Sequence, residues 1–132
     1  MTRVRGYIFS RAFMGERVPQ HVQNLVIRDY CDRRGFQFLL SATEYAMERC
    51  HLMLRQVLDE LPVIDGIVLY SLFQLPESVE HRQHIYRTVI DQEKSLHFSV
   101  EGLRASTRQE CEHVETLWRV RLTLPFCGYA SK

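Results

Sequence analysis

Several patterns that identify well-known chemistries are missing from this sequence. No two of its four cysteines (Cys31, Cys50, Cys111 and Cys127) have CxxC spacing, which argues against a zinc ribbon or a thioredoxin-type site. Gly15 stands alone after the first predicted strand, so neither GxGxxG nor a Walker A phosphate loop is present, and HExxH is absent too. We therefore expect no cofactor and no metal ion.

Long apolar runs and an excess of charge of one sign are missing as well. No apolar stretch approaches the roughly 20 residues needed to span a bilayer. The residues from Met1 to Arg5 lead directly into a strand-like run, with no apolar core of a secretion signal. The 17 basic and 16 acidic residues give a formal net charge of +1, without the basic excess typical of proteins that grip phosphate backbones. We expect a cytoplasmic protein with reduced thiols and with neither a membrane nor a nucleic-acid partner.

What the sequence does contain is a regular alternation of strand-like and helix-like segments across one domain, residues 1–132. The predicted strands are Val4–Ser10, Phe36–Ser41, Ile64–Tyr70 and Leu96–Val100. The predicted helices run from Pro19 to Gly35, from about Glu48 to Leu61, from Pro76 to just after Ile90, and from Thr107 to Pro125. Ser41-Ala-Thr-Glu44 also has the spacing of a capping box, which leaves an earlier start for the second helix open.

This alternation predicts a three-layer α/β fold. Four strands, each followed by a helix, favour a mainly parallel four-stranded sheet with helices on both faces. Right-handed crossovers leave few topologies, and the flavodoxin-like order 2-1-3-4 is the simplest.

Such a sheet binds ligands beyond the carboxyl ends of its strands, where the strand order reverses. An arginine beside a hydroxyl suits a phosphate or carboxylate, so Arg11 is the candidate anion anchor, and Glu44 and Ser10 are the candidate catalytic residues. The alternatives are a turn in which Arg11 pairs with Glu16 or Glu44, and a Glu44 that only caps a helix. The remaining candidate ligand-binding residues of this edge are Ser41, Tyr45, Ser71 and Gln74.

One helical face carries Glu77, His81 and His84, at i, i+4 and i+7. This spacing is compatible with metal binding, but no fourth ligand is evident. A solvated helix face is the interpretation that we favour.

Two resemblances add to this interpretation. The first is carried by the runs Arg5–Arg11, Gln23–Leu25, Asp29–Gly35 and Asp65–Tyr70. These runs resemble the start of the catalytic domain of serine recombinases, the resolvases and invertases. The resemblance implies a resolvase-like fold, with Ser10 as the residue that corresponds to the nucleophile. That family has arginines after the third strand that stabilise the phosphoryl transition state, whereas Ser71–Glu77 contains none. The resemblance therefore implies the fold rather than the activity.

The segments Gln23–Cys31, Leu39–Met47, Asp65–Pro76 and Trp118–Arg121 carry the second resemblance, which spans almost the whole chain. They are similar to a small bacterial family named for sporadically distributed carbohydrate-biosynthesis clusters. This resemblance implies a genomic setting and no mechanism. Our leading hypothesis is an accessory or enzymatic protein of bacterial surface-carbohydrate biosynthesis that binds a small anion, a sugar phosphate or a nucleotide sugar, at the carboxyl edge of the sheet. The alternatives are a non-catalytic dimeric interaction module and, ranked last, a resolvase-like DNA-processing domain.

The last predicted helix also suggests a homodimer. Val114, Leu117 and Trp118 form an apolar stripe on it, and Leu122, Leu124 and Phe126 continue the apolar character beyond. Apolar surface that is left uncovered tends to mark an interface. The alternative is that this stripe packs on the sheet.

Overall fold

The computed structural model describes residues 2–47 and 49–123. Within these residues the chain forms five strands, β1 (Arg3–Phe9), β2 (Gln37–Glu44), β3 (Gly66–Leu69), β4 (Ser95–Phe98) and β5 (Leu103–Ala105). The same part of the chain contains four α-helices, α1 (Gln20–Arg34), α2 (Leu52–Asp59), α3 (Val79–Asp91) and α4 (Arg108–Thr123).

The described strands form one sheet in the order β2-β1-β3-β4-β5. The pairs β1–β2, β1–β3 and β3–β4 are parallel, as the alternation of strands and helices predicted, and the order 2-1-3-4 is confirmed. The prediction of four strands was wrong, because β5 adds a fifth strand antiparallel to β4. The fold is therefore a three-layer α/β domain with a mostly parallel five-stranded sheet.

Strands β1 and β3 lie at the centre of the sheet, and their side chains are buried on both faces. All four residues of β3 are buried, as are Val4 and the residues from Gly6 to Phe9 in β1. On one face the core packs around Tyr7, Ile67 and Leu69, and on the other it packs around Val4, Ile8 and Val68. Burial on both faces explains why these segments are near-continuous apolar runs.

Several segment boundaries differ from those predicted, and α2 begins at Leu52 rather than at about Glu48. Two other shifts change the carboxyl edge of the sheet. Strand β2 continues to Glu44 instead of ending at Ser41, and Phe9 pairs with Glu44 at its far end. Helix α3 begins at Val79, where the Ser78 hydroxyl accepts a hydrogen bond from the His81 N–H, rather than at Pro76. Both shifts lengthen the chain segments at the carboxyl edge of the sheet.

The apolar stripe of α4 packs on the protein itself. Val114 and Trp118 are buried in the core, and Leu117 packs against it. The Trp118 indole N–H donates to the Leu72 carbonyl over 3.2 Å. This stripe is therefore not the exposed surface on which the predicted homodimer depended. Leu122, Leu124 and Phe126, which continued that surface, lie outside the described side chains.

No α-helix in the described ranges is long and apolar enough to cross a bilayer. No three His, Cys, Asp or Glu side chains within those ranges are grouped so that they could hold a metal ion.

Candidate ligand-binding cleft

A cleft of about 560 Å³ opens at the carboxyl edge of β1 and β3. Its floor is formed by the buried side chains of Phe9, Leu75 and Trp118. The half-buried rings of Phe13 and Phe73 form its walls. The other residues that line it are Arg11, Ala12, Met14, Gly15, Arg49, His51 and Glu77. The cleft thus combines an aromatic interior with three basic side chains and one carboxylate.

Arg11 is half-buried in this cleft and has a fixed orientation. Its guanidinium lies over the Phe9 ring, 4.1 Å from the centroid, and one of its nitrogens donates to the Tyr45 carbonyl over 2.8 Å. No carboxylate within the described residues lies within ion-pair distance of it, and the predicted alternative pairing with Glu16 or Glu44 is not formed. A guanidinium has five N–H donors, so Arg11 retains donors for a ligand.

Two sets of hydrogen bonds hold the loop after β1 in place. Phe13 and Glu16 exchange backbone hydrogen bonds of 2.9 and 3.0 Å around Met14 and Gly15, which have φ angles of +51° and +77°. Gln23 of α1 then donates to the Phe9 carbonyl and the Val18 carbonyl from its amide nitrogen, and its amide oxygen accepts from the Phe9 N–H. Both ends of the loop are therefore fixed, and Arg11 and Phe13 are presented to the cleft.

Glu44 is buried, and its carboxylate accepts five hydrogen bonds. The donors are the Tyr7 hydroxyl, the Cys50 thiol and the backbone N–H groups of Tyr45, Met53 and Leu54. Burial would raise the pKa of Glu44, but the hydrogen bonds from Met53, Tyr7, Leu54 and Tyr45 together lower it. A general base needs a pKa near the working pH, and the pKa of Glu44 is lowered instead. This environment therefore favours a structural role, in which the Glu44 carboxylate anchors the start of α2.

The other candidates on β1 and β2 are engaged with the protein. The Ser10 hydroxyl donates to the Glu44 carbonyl over 2.5 Å, and the Ser41 hydroxyl donates to the Asn24 side chain over 2.6 Å. Tyr45 is half-exposed and holds Arg11 through its backbone carbonyl. Catalysis by Ser10 or Glu44 stays a prediction.

The two candidates after β3 are buried polar groups. The Ser71 hydroxyl donates to Glu101 over 2.8 Å and accepts from the Phe73 N–H, which shapes the turn. The Gln74 amide donates to the Gln23 side chain over 2.8 Å. Ser41 lies within β2, paired with Gly6, rather than at the carboxyl end of that strand. The other predicted residues lie at or just after the carboxyl ends of β1, β2 and β3, but Arg11 is the only member of the set that lines the cleft.

Arg49 and His51 line the cleft and were not predicted. They lie in the connection between β2 and α2, because α2 begins at Leu52 and not, as predicted, at about Glu48. Burial, and then the nearby positive charge of Arg11, lower the pKa of His51, so its imidazole is neutral at pH 7. The later start of α2, which Glu44 anchors, is the feature that would have pointed to these residues.

The fold of the described residues is similar to that of two solved recombinase structures. The N-terminal catalytic domain of the TP901-1 integrase matches 92% of this chain and 98% of its own, with 14% identity and a TM-score of 0.57. A resolvase family site-specific recombinase from Streptococcus pneumoniae matches 97% of this chain and 94% of its own, with 6% identity and a TM-score of 0.65. At these identities the likeness is one of fold, and the fold-level resemblance expected from the sequence is confirmed.

No protein-family profile and no curated protein matches the sequence, so the resemblance to the carbohydrate-cluster family finds no support here. The prediction that nucleic acid is excluded as a partner was wrong, because the matching structures are an integrase and a site-specific recombinase. The physical reason is that a net charge near zero describes the whole molecule and says nothing about a local basic patch.

Proposed function

We propose that the cleft binds a small anionic ligand, a sugar phosphate or a nucleotide sugar, with Arg11 as its anchor. The protein would serve bacterial surface-carbohydrate biosynthesis in the cytoplasm, as an accessory or enzymatic component. The observation that carries this proposal is the Arg11 guanidinium, which is half-buried, oriented over Phe9 and not paired with a described carboxylate.

The position of Arg11 suits an anion for electrostatic reasons. Contact with the Phe9 ring and the hydrogen bond to the Tyr45 carbonyl hold the guanidinium in one orientation, so little conformational entropy is lost on binding. Partial burial lowers the local dielectric constant, which strengthens its attraction for a phosphate.

The size and lining of the cleft suit a ligand with an organic portion. Its volume of about 560 Å³ lies within the usual range for small-molecule sites, roughly 300–1,000 Å³. The rings of Phe13 and Phe73 offer flat apolar surface, while charged groups are few. A bare inorganic ion would leave most of that surface uncovered, so a sugar or nucleoside attached to the phosphate fits better.

Trp118 provides the direct test, because it is the only tryptophan in the chain and lies on the cleft floor. Glucose 1-phosphate and uridine diphosphate glucose should change its fluorescence in a saturable way and raise the melting temperature. Arg11→Ala should weaken binding by about 10- to 150-fold, which corresponds to about 1.5–3 kcal/mol for hydrogen bonds to a charged group.

Arg33→Ala is the matched control, since Arg33 is an exposed arginine on α1 that does not line the cleft. It should bind like the wild type. Unchanged affinity in Arg11→Ala, or an equal loss in both variants, would contradict the proposal.

A nucleic-acid function is the second candidate, and the recombinase fold of the two structural neighbours supports it. Residues 71–77 contain no arginine, which speaks against a resolvase-type reaction but not against binding. Fluorescence anisotropy with a labelled DNA duplex tests it. Affinity that falls steeply as salt is raised would favour this function over the small ligand.

A further inference from the structure

A second, smaller pocket of about 110 Å³ lies between α2 and α3, next to the cleft. Arg49 and His51 line both spaces, so the pocket and the cleft are neighbours that share these two side chains. The floor of the pocket is apolar and consists of the buried residues Leu54, Leu58, Pro76 and Ile85. Its volume is about that of three or four water molecules in the liquid, which is enough for one phosphoryl group.

All the ionisable residues that line this pocket are basic. They are Arg49, His51, Arg55, His81 and His84. The nearest described ion-pair contact is between Arg49 and Glu77 over 4.0 Å, and both side chains are mostly exposed. Arg49 and Arg55 supply positive charge there, whereas the His51 imidazole is neutral at pH 7. A concave space with an apolar floor and charge of one sign concentrates counter-ions, so the pocket attracts anions.

The backbone at Arg49 is an independent observation. Its φ angle is +60°, in the left-handed region that a non-glycine residue rarely adopts. Such strained residues cluster at functional sites, where the surrounding structure holds them in place. Here the strain lies in the residue whose side chain lines both spaces.

We propose that the pocket between α2 and α3 is a subsite for a second phosphoryl group. Arg49, Arg55, His81 and His84 form this subsite. Together with the proposed function, on which this part depends, the subsite indicates that the ligand of the cleft carries two anionic groups, as a nucleoside diphosphate sugar does. It also implies that the pocket binds inorganic phosphate or pyrophosphate by itself.

The direct test is to follow the ring signals of the histidines by NMR while phosphate or pyrophosphate is added at constant pH. The signals of His81 and His84 should shift in a saturable way. Those of His21 and His113, exposed histidines on α1 and α4, should not. Uniform shifts of all four histidines, or no shift at His81 and His84, would overturn the subsite.

Two variants separate the subsite from the rest of the surface. Arg55→Gln should weaken pyrophosphate binding by about tenfold, the loss expected for one hydrogen bond to a charged group. Arg87→Gln, an exposed arginine on α3 outside this pocket, should leave it unchanged. Equal affinity in Arg55→Gln and in the wild type would contradict the proposal.

Trp118 fluorescence then distinguishes the two proposals. Arg55→Gln should lower the affinity for uridine diphosphate glucose towards that for glucose 1-phosphate, and should leave the affinity for glucose 1-phosphate unchanged. If glucose 1-phosphate binds but Arg55→Gln alters neither affinity, the subsite fails and the proposed function stands. If the histidine signals respond to pyrophosphate but no sugar phosphate changes the fluorescence, the proposed function fails and the subsite stands without its role in that ligand.

Discussion

At the scale of single residues, Glu44 shows how one buried carboxylate can organise a whole edge of the sheet. It closes β2, accepts the Tyr7 hydroxyl from β1 and accepts the first free N–H groups of α2. Because α2 has only eight residues and no side-chain cap of its own, this distant carboxylate replaces the missing cap.

Glu44→Ala should therefore lower the free energy of unfolding by about 3 kcal/mol, since it leaves several buried donors without an acceptor. Glu44→Gln should cost less, because the amide oxygen still accepts. Urea denaturation measures both effects, and Glu80→Gln on the exposed face of α3 is the control. A stability equal to that of the control would mean that α2 does not depend on this anchor.

His97 is the second residue whose environment determines behaviour. It is buried on β4, where Nδ1 contacts the Tyr30 hydroxyl over 2.8 Å and Nε2 contacts the Ser95 hydroxyl over 2.8 Å. Burial, and then the positive charges of Arg34 and Arg104, lower its pKa to about 4. Its imidazole is therefore neutral at neutral pH.

The low pKa of His97 predicts a pH-dependent stability. Between about pH 4 and pH 6.5 the unfolded chain binds this proton and the folded protein does not, so stability falls as the pH falls. A depression from 6.5 to about 4 corresponds to a loss of up to about 3 kcal/mol. His51, whose pKa is also lowered, adds a smaller effect of the same sign.

Denaturation curves at several pH values measure this effect. His97→Gln should flatten the dependence between pH 4 and pH 6.5, while His113→Gln, an exposed histidine on α4, should retain it. If His97→Gln keeps the full slope, then other groups cause the dependence.

At the scale of elements, β3 and β4 approach each other closely at Gly66, which pairs with Ser95. A methyl group placed there would lie 2.6 Å from the Ser95 carbonyl oxygen and 2.7 Å from the Ser95 hydroxyl oxygen. The backbone of β4 would have to move, and the Ser95 hydroxyl would leave His97.

Gly66→Ala should thus destabilise the protein by about 1–3 kcal/mol, the usual cost of overpacking, and Gly66→Ser should cost more. Thermal and chemical denaturation report both. If the two variants are as stable as the wild type, the close approach of these strands is not needed for the fold.

Elements in which apolar residues recur with a clear period could be predicted from the sequence, and elements that depend on distant contacts could not. The runs around Ile67 and Ile8 are apolar on both faces, so their central position followed directly. Strand β5 has three residues, Leu103–Ala105, which is too short for any period to emerge. The start of α2 depends on a hydrogen bond to Glu44 from a residue ten positions further along the chain. The local sequence pattern gives no sign of such a contact.

The same distinction applies to the site. Arg11 could be predicted because it follows a strand whose end was clear. Arg49 and His51 could not, because the second helix was predicted to begin at about Glu48, whereas α2 begins at Leu52 and leaves both residues in a connection at this edge. The topological rule located the correct edge of the sheet, but only the coordinates show which side chains face the cleft.

At the scale of the whole molecule, a buried ion pair connects α3, α4 and the segment after β3. Arg82 binds both carboxylate oxygens of Glu115, over 2.7 and 2.9 Å, and also donates to the carbonyls of Pro76 and Glu77. The Tyr86 hydroxyl donates to the same carboxylate over 2.5 Å. Burial would raise the pKa of Glu115, but these bonds from Arg82 and Tyr86 lower it.

This ion pair also supports the cleft. The Arg82 guanidinium lies 4.5 Å from the centroid of the Trp118 ring, which also contacts the ring of Phe73 at a centroid distance of 5.4 Å. Trp118 and Phe73 both line the cleft, so a change at Arg82 is transmitted to the proposed ligand site through packed side chains. Loss of the ion pair should therefore affect global stability and ligand affinity together.

Arg82→Met should lower the free energy of unfolding by about 3–5 kcal/mol, because it leaves the Glu115 carboxylate buried without its cation. The combination Arg82→Met, Glu115→Leu and Tyr86→Phe should recover most of that loss, since apolar groups of similar volume replace the whole network.

Arg87→Met, an exposed change on the same helix, is the control. Denaturation followed by Trp118 fluorescence and by far-ultraviolet circular dichroism should give coincident transitions in each variant. If Arg82→Met is as stable as Arg87→Met, or if the triple variant is no better than Arg82→Met, the network does not hold α3 and α4 together in the way the structure indicates.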